Sequence, residues 1–206
     1  MSGRFEGWYC KHQAHDNPGK SLAVIPGREA NNAFVLVITH DKSYHISYPL
    51  SEYQKYGTCI TVGGNTFSHA GISLDIRRPE LCLTGDIMYT GLTPINGDIM
   101  GSFRFFPMEC RHGIISMNHF LSGVVFLDGE AYDFSGGKGY IESDSGRSFP
   151  KWYTWVHCNA FEADCSIVAS VARIPFYGLR FNFALDGKKM GFSFTIAVNC
   201  YKESLH

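Results

Sequence analysis

Short alternating runs between turn residues constrain this chain more than any other feature. In GISLDIRR (residues 71–78), Ile72, Leu74 and Ile76 fall on one side of an extended backbone, and Ser73, Asp75 and Arg77 on the other. FNFALDGKKMGFSFTIAV (residues 181–198) repeats the pattern on both sides of Asp186-Gly187, and GVVFLDGEAYDF (residues 123–134) places Asp128-Gly129 between two apolar runs, so both read as hairpins. AFVLVIT (residues 33–39) is nearly continuous in apolar residues and reads as a buried strand, while GDIMY (residues 85–89) reads as another short one. No segment longer than about ten residues sustains a helical period. The expected fold is therefore all-β, with antiparallel hairpins forming a barrel or a curled sandwich that manages its many strand edges.

Composition supports this reading. Aromatic residues make up 15% of the chain, with 16 Phe and 11 Tyr, and such side chains suit a pleated surface. The 22 glycines punctuate the runs, and TGLTPINGDIMG (residues 90–101) is the best candidate for a long loop. A length of 206 residues without a linker-like tract suggests one compact unit over 1–206, with sub-lobes 1–107 and 108–206 as the alternative division.

The formal net charge of -1, without a block of like charges, argues against nucleic acid as a partner. No apolar run reaches the length of a membrane-spanning helix, and the opening MSGRFEGWYC lacks the apolar core of a signal peptide. The seven cysteines, Cys10, Cys59, Cys82, Cys110, Cys158, Cys165 and Cys200, are odd in number and irregularly spaced, which suits a reducing, cytoplasmic setting.

Several chemical signatures are incomplete. GGKG (residues 136–139) lacks the spacing and hydroxyl of a phosphate loop and reads as a tight turn before a strand. Cys110 and His112, with His119, His157 and Cys158, include only one close pair, short of a zinc signature, so no metal and no cofactor are expected. No Gly-x-Ser-x-Gly elbow occurs.

The densest chemistry lies in GYIESDSGRSFPKWYTWVHCN (residues 139–159). As a strand, its first part puts Tyr140, Glu142 and Asp144 on one face, either a solvated face paired to Lys151 or Arg147, or a carboxylate pair facing a cavity. Phe149 precedes a proline and is biased to extended backbone. Beyond it, Tyr153, Trp155, His157 and Asn159 share one face, and Trp152, Thr154, Val156 and Cys158 the other.

FEGWYCK (residues 5–11) and GYIESDSGRSFPKWYTWVHCNAF (residues 139–161) resemble the two signature regions of the tocopherol cyclase-like family. The first resembles its Phe-x-Gly-Trp-Tyr-x-Lys opening. The second resembles its Gly-Tyr-x-Glu-x-x-Trp-Gly-x-Ser-Phe-Pro block followed by Trp-x-x-x-x-Asn, with Ser145 where the family carries Trp. That family is similar in fold to carotenoid hydratases built from paired lipocalin-like barrels, so the resemblance implies a lipocalin-like barrel, or two partial barrels packed together. It also implies acid-driven cyclisation or hydration of an alkene in an apolar prenyl-type or polyene substrate, in a dry pocket whose aromatic faces stabilise a cation. Asp144 and Glu142 become the candidate acids. Trp8, Tyr9, Tyr140, Trp152 and Trp155 become the aromatic wall, and Lys11, His119 and Asn159 the groups that position a polar head. The same cavity without catalysis would make a lipocalin-like binding protein for a hydrophobic small molecule.

Overall fold

The computed structural model describes residues 4–17, 19–161, 165–174, 178–187 and 192–198, with side chains as far as Arg173, Ser102 excepted. It is all-β and antiparallel. The larger sheet is built in chain order from β1 (Phe5–Gln13), β2 (Ser21–Glu29), β3 (Asn32–Ile38), β4 (Ser43–Pro49), β5 (Tyr53–Tyr56), β6 (Cys59–Val62), β7 (Asn65–Ser68), β8 (Gly71–Arg78) and β9 (Leu81–Thr90). It continues with β10 (Cys110–Ser122), β11 (Val124–Leu127), β12 (Glu130–Asp133) and β13 (Lys138–Gly146). The hydrogen-bonded path runs β4-β3-β2-β1-β13-β10-β9-β8-β7-β6-β5, with β11 and β12 attached along β9.

The two ends of this path, β4 and β5, are joined by the single 3₁₀ turn Leu50–Glu52, yet they do not pair. The sheet thus curls until β2 and β3 pack on β6, and it stops short of a closed barrel. Val24, Val35 and Val37 meet Ile60, Val62 and Phe67 inside the curl, all fully buried. The alternation in β8 produces the expected result, with Ile72, Leu74 and Ile76 in this core.

A second sheet, β14 (Tyr153–Cys158), β15 (Cys165–Ile174), β16 (Gly178–Gly187) and β17 (Phe192–Val198), is ordered as in the chain. β15 packs on the outer face of β10, and a smaller apolar cluster of Ile99, Met100, Met117, Tyr140 and Val168 lies between the sheets. The sheets therefore divide at residues 147–152, and residues 108–146 contribute strands to the first. Among the described residues, no helix is long and apolar enough to cross a membrane.

The turn chemistry is local. Asp128 and Gly129 take φ of 50° and 87°, the left-handed pair a two-residue hairpin turn requires, and β11 and β12 close on them. β16 and β17 also pair, but Asp186 and Gly187 stay within β16, opposite Ser166 and Cys165; residues 188–191 lie outside the described residues. Residues 91–100 form the expected loop and lead into a 3₁₀ turn, Gly101–Phe105. Gly136, at φ 74°, makes the turn before β13.

Candidate active site

Between the sheets lies a cavity of about 500 Å³. Strand parity decides what faces it. On β1 the odd residues Phe5, Gly7 and Tyr9 point to the cavity, while Cys10 and His12 point into the curl. β3 uses both faces for apolar groups: Val35 and Val37 fill the core, and Phe34, Leu36 and Ile38 line the cavity. Its nearly continuous apolar run is thus explained by two separate apolar environments. Met100 and Met108 reach in from the segment before β10, and Trp155, Ser170 and Ala172 close the other side.

The polar pole of this cavity is on β13. Its register puts Asp144 opposite Gly7 and Glu142 opposite Tyr9, so the alternating face of Tyr140, Glu142 and Asp144 is turned inward. β10, on its other side, places His112 opposite Asp144. Glu142 is only 7% exposed, which rules out a solvated salt-bridged face. The Tyr140 hydroxyl donates to Glu142 Oε2 at 2.5 Å, and His112 Nε2 lies 3.6 Å from the same oxygen. His112 Nδ1 is 2.9 Å from Asp144 Oδ1.

Burial pushes the Glu142 carboxyl up to about 7, helped by the Asp144 charge and opposed by His112 and the Tyr140 hydroxyl. The Trp155 indole N–H also opposes that rise from nearby, without completing a hydrogen bond of its own. Tyr9 is raised to about 12 by burial and then by Glu142, and Cys110, whose Sγ lies 3.8 Å from Asp144 Oδ1, is raised to about 12 by burial and then by Asp144. The phenol and the thiol therefore stay neutral near pH 7, and Glu142 is the group poised to give up a proton there. Of the two candidate acids, Glu142 is the one whose carboxyl is raised, by burial first and by the neighbouring Asp144 charge to a smaller extent.

Aromatic rings surround this acid. Trp155 stands edge-on to Tyr9 at 5.5 Å and tilted to Tyr140 at 5.8 Å, and His157 stacks on Tyr140 at 3.9 Å. The ring of Trp8 sits in the core behind, against His69 at 5.4 Å, although the residue borders the cavity. Trp152, in the bend before β14, is half-exposed and does not line the cavity, so its expected place in the wall is corrected.

Three expected positioning groups lie elsewhere. Lys11 Nζ donates to His157 Nδ1 at 3.5 Å, and burial lowers its pKa. Asn159 donates to Asn118 Oδ1 and Gly139 O, each at 3.1 Å, and ties the end of β14 to the first sheet. His119 faces the inside of the curl against Tyr89, at 4.5 Å between ring centroids, with Nδ1 3.2 Å from Ser116 Oγ. Its ring fits because Gly139 opposite has no side chain; a Cβ there would lie 2.1 Å from His119 Nε2.

His119, His157 and Cys158 do not gather with Cys110 and His112. One cluster, His112, Glu142 and Asp144, brings three ligand atoms within 4.8 Å of one another among the described residues. Glu142 Oε2 is already taken by the Tyr140 hydroxyl and Asp144 Oδ1 by His112 Nδ1, so the set reads as a hydrogen-bonded acid cluster and not as a metal centre. His112 is the residue that sequence reasoning had not connected with this pair. Only the pairing of β10 with β13, which brings together His112 and Asp144 from positions 32 residues apart in the chain, places it there.

Residues 95–184 match the model of the family described as tocopherol cyclase-like. No curated protein sequence matches the chain. Two solved structures share the fold: that of CghA, with a TM-score of 0.57 at 8% identity, and that of CghA with Sch210972, with a TM-score of 0.58 at 9% identity. Each alignment covers 92% of this chain and 59% of that one, so the chain spans less than two thirds of their length. Across residues 95–184, the stretch that holds His112, Tyr140, Glu142, Asp144 and Trp155, this chain is similar to the tocopherol cyclase-like family.

Proposed function

We propose that the cavity takes an apolar, alkene-bearing molecule of the prenyl or polyene class and that Glu142 protonates its double bond. The observation that carries this reading is a carboxyl held at about pKa 7 beside an apolar cavity, where half of it is protonated at neutral pH. Proton delivery to a trisubstituted alkene makes a tertiary cation. The rings of Tyr9 and Trp155, both in the cavity lining, supply the negative potential such a cation needs, and the apolar walls of Phe34, Leu36 and Ile38 limit access of water to it; Tyr140, expected in this wall, is instead buried against His157 behind it. Likeness to the tocopherol cyclase-like family over this stretch supports the same class of chemistry.

The test is conversion of a geranylated hydroquinone by the purified protein. Glu142→Gln keeps the shape and removes the acid; it is expected to lower turnover by at least about a hundredfold. Affinity for the same compound should change by no more than about tenfold, or about 1.4 kcal/mol. Tight binding by the unmutated protein, without turnover of any prenyl or polyene compound, would replace this reading with that of a binding protein. The specific observation on that side is that Glu142 already satisfies the Tyr140 hydroxyl, which is also what a structural carboxyl does.

A further inference from the structure

We propose that the mouth of the cavity is a docking surface for a bilayer that carries anionic phospholipid, and that the protein draws its apolar ligand from that bilayer without passing it through water. The second half rests on the reading of the cavity as the place of an apolar molecule; the docking does not.

The mouth is marked by residues that both line the cavity and meet solvent. Phe149 and Tyr153 do so, at 47% and 54% exposure. Phe5 stacks on Phe149 at 4.7 Å and Phe149 on Tyr153 at 6.0 Å, so the three form one row where β1 begins, β13 ends and β14 starts. Trp152 adds an apolar side chain outside the cavity, at 51% exposure. Phe105, at 76%, stands three residues before Met108, which lines the cavity just ahead of β10, and β10 starts opposite Gly146 at this same end. Aromatic side chains left exposed in such a group suit the boundary between headgroups and acyl chains, where a ring sits with its apolar body in and its polar edge wet.

The charge around the mouth selects the lipid. Arg4, Arg147 and Lys151 are exposed within two residues of Phe5 or Phe149, and the exposed Arg173 donates its backbone N–H to Trp152 O at 3.0 Å. The ion pairs of lysine and arginine among the described residues are made by Lys20, Arg28, Lys55 and Arg77, so these four cations face solvent. Two acids share the region: Glu29 opposite Phe5, and Glu109, whose carbonyl accepts the Arg147 N–H. Four cations against two acids leave a local excess of two positive charges on a chain whose formal net charge is -1. Cations beside exposed aromatics are the pairing that anionic headgroups over acyl chains attract. A protein partner would have to bring acids to the mouth and would close it, whereas a bilayer brings acidic headgroups and leaves the route inward open. Asp144 and Glu142 lie two and four residues in from Gly146, about 7 and 13 Å along β13, so the carboxyls stay clear of the lipid while a ligand can reach them.

Flotation with vesicles tests this, using phosphatidylcholine alone and phosphatidylcholine with phosphatidylglycerol in equal parts, both free of any prenyl compound. Binding to the mixed vesicles should be at least about tenfold tighter, and the difference should fall away as salt is raised from about 0.1 M to about 1 M. Lys151→Glu should lower affinity for the mixed vesicles by about tenfold or more. Lys42→Glu makes the same change of charge in the turn between β3 and β4, at the other end of the strands, and should leave affinity within about twofold. Brominated phosphatidylcholine in the mixed vesicles should quench tryptophan fluorescence, and Trp152→Phe should remove most of that quenching. Equal binding to the two kinds of vesicle, quenching that persists in Trp152→Phe, or equal losses from Lys42→Glu and Lys151→Glu overturns the inference. Absence of flotation with either vesicle also overturns it, and a dimer broken by Trp152→Ser would then assign the surface to a second copy of the chain. Docking as expected, by a protein that neither binds nor converts a prenyl or polyene compound, supports the surface and overturns the reading of the cavity instead.

Discussion

Glu142 links stability to pH as well as to chemistry. Its ordinary value of 4.5 rises to about 7 in the fold, so the folded state holds a proton that the unfolded chain has released. The stability it leaves intact below pH 4.5 is lost as pH rises to about 7 and is constant above that, for a total of roughly 3 kcal/mol. Glu142→Gln has no carboxylate to bury, so its stability relative to the unmutated protein should grow across this window; equal denaturant midpoints at pH 5 and pH 8 would contradict the raised value. Tryptophan fluorescence separates the two aromatic assignments. Quenching by a long-chain prenyl quinol should survive Trp152→Phe and largely vanish in Trp155→Phe. The alternation of Tyr140, Glu142 and Asp144 was legible in the sequence; that their face turns inward was not, because alternation marks two faces without saying which one a second sheet will cover. His112 was invisible as a partner, since register between strands distant in the chain leaves no local trace.

At the scale of the strand, β3 divides its work by parity. Val37→Ala empties space inside the curl and should lower stability by roughly 2 kcal/mol. Leu36→Ala changes the cavity wall instead; its main effect should be weaker ligand binding, read by titration, with a smaller shift in denaturant midpoint. Equal effects of the two on stability would show that the wall is ordinary core. Where β10 and β13 run side by side, Gly139→Ala drives a methyl into the buried His119 ring and should cost about 1–3 kcal/mol. The hairpin at Asp128-Gly129 was readable because its turn needs left-handed residues that few side chains tolerate. Asp186-Gly187 carried the same signal, yet β16 continues through both residues because their pairing with Ser166 and Cys165 overrides the local preference.

For the molecule as a whole, the three deeply buried histidines outweigh Glu142. His12 and His157 are lowered to about 4 and His119 to about 3, each chiefly by burial. His12 shows how the neutral form is held: Nδ1–H donates to Leu22 O at 3.0 Å and Nε2 accepts from the Tyr89 hydroxyl at 2.6 Å. Below pH 6.5 the unfolded chain takes up these protons and the folded one does not, so the stability present above 6.5 falls as pH drops toward 4. With about 3 kcal/mol at stake for His12 and for His157 and about 5 kcal/mol for His119, the sum rivals the stability of an ordinary domain. The protein should unfold cooperatively between about pH 6 and pH 4, and His12→Gln should lower the midpoint if the fold accepts it. A fold stable at pH 3.5 by circular dichroism would contradict the neutral assignments. The all-β class was legible from period and composition. The open curl was not, since whether a sheet closes depends on strand tilt and on which edges meet, and neither is written in alternation.

The meeting of β4 and β5 at Leu50–Glu52 without a shared ladder leaves the main path of the large sheet with two unpaired margins. Breathing starts at such margins and works inward. Amide exchange should therefore be fastest in β4 and β5 and slowest in β1, β13 and β10, at the middle of the path. The strands carrying Tyr9, Glu142, Asp144 and His112 all lie at least three strands in from either end of the path, so the proton-handling groups stay in register through fluctuations that unzip the ends.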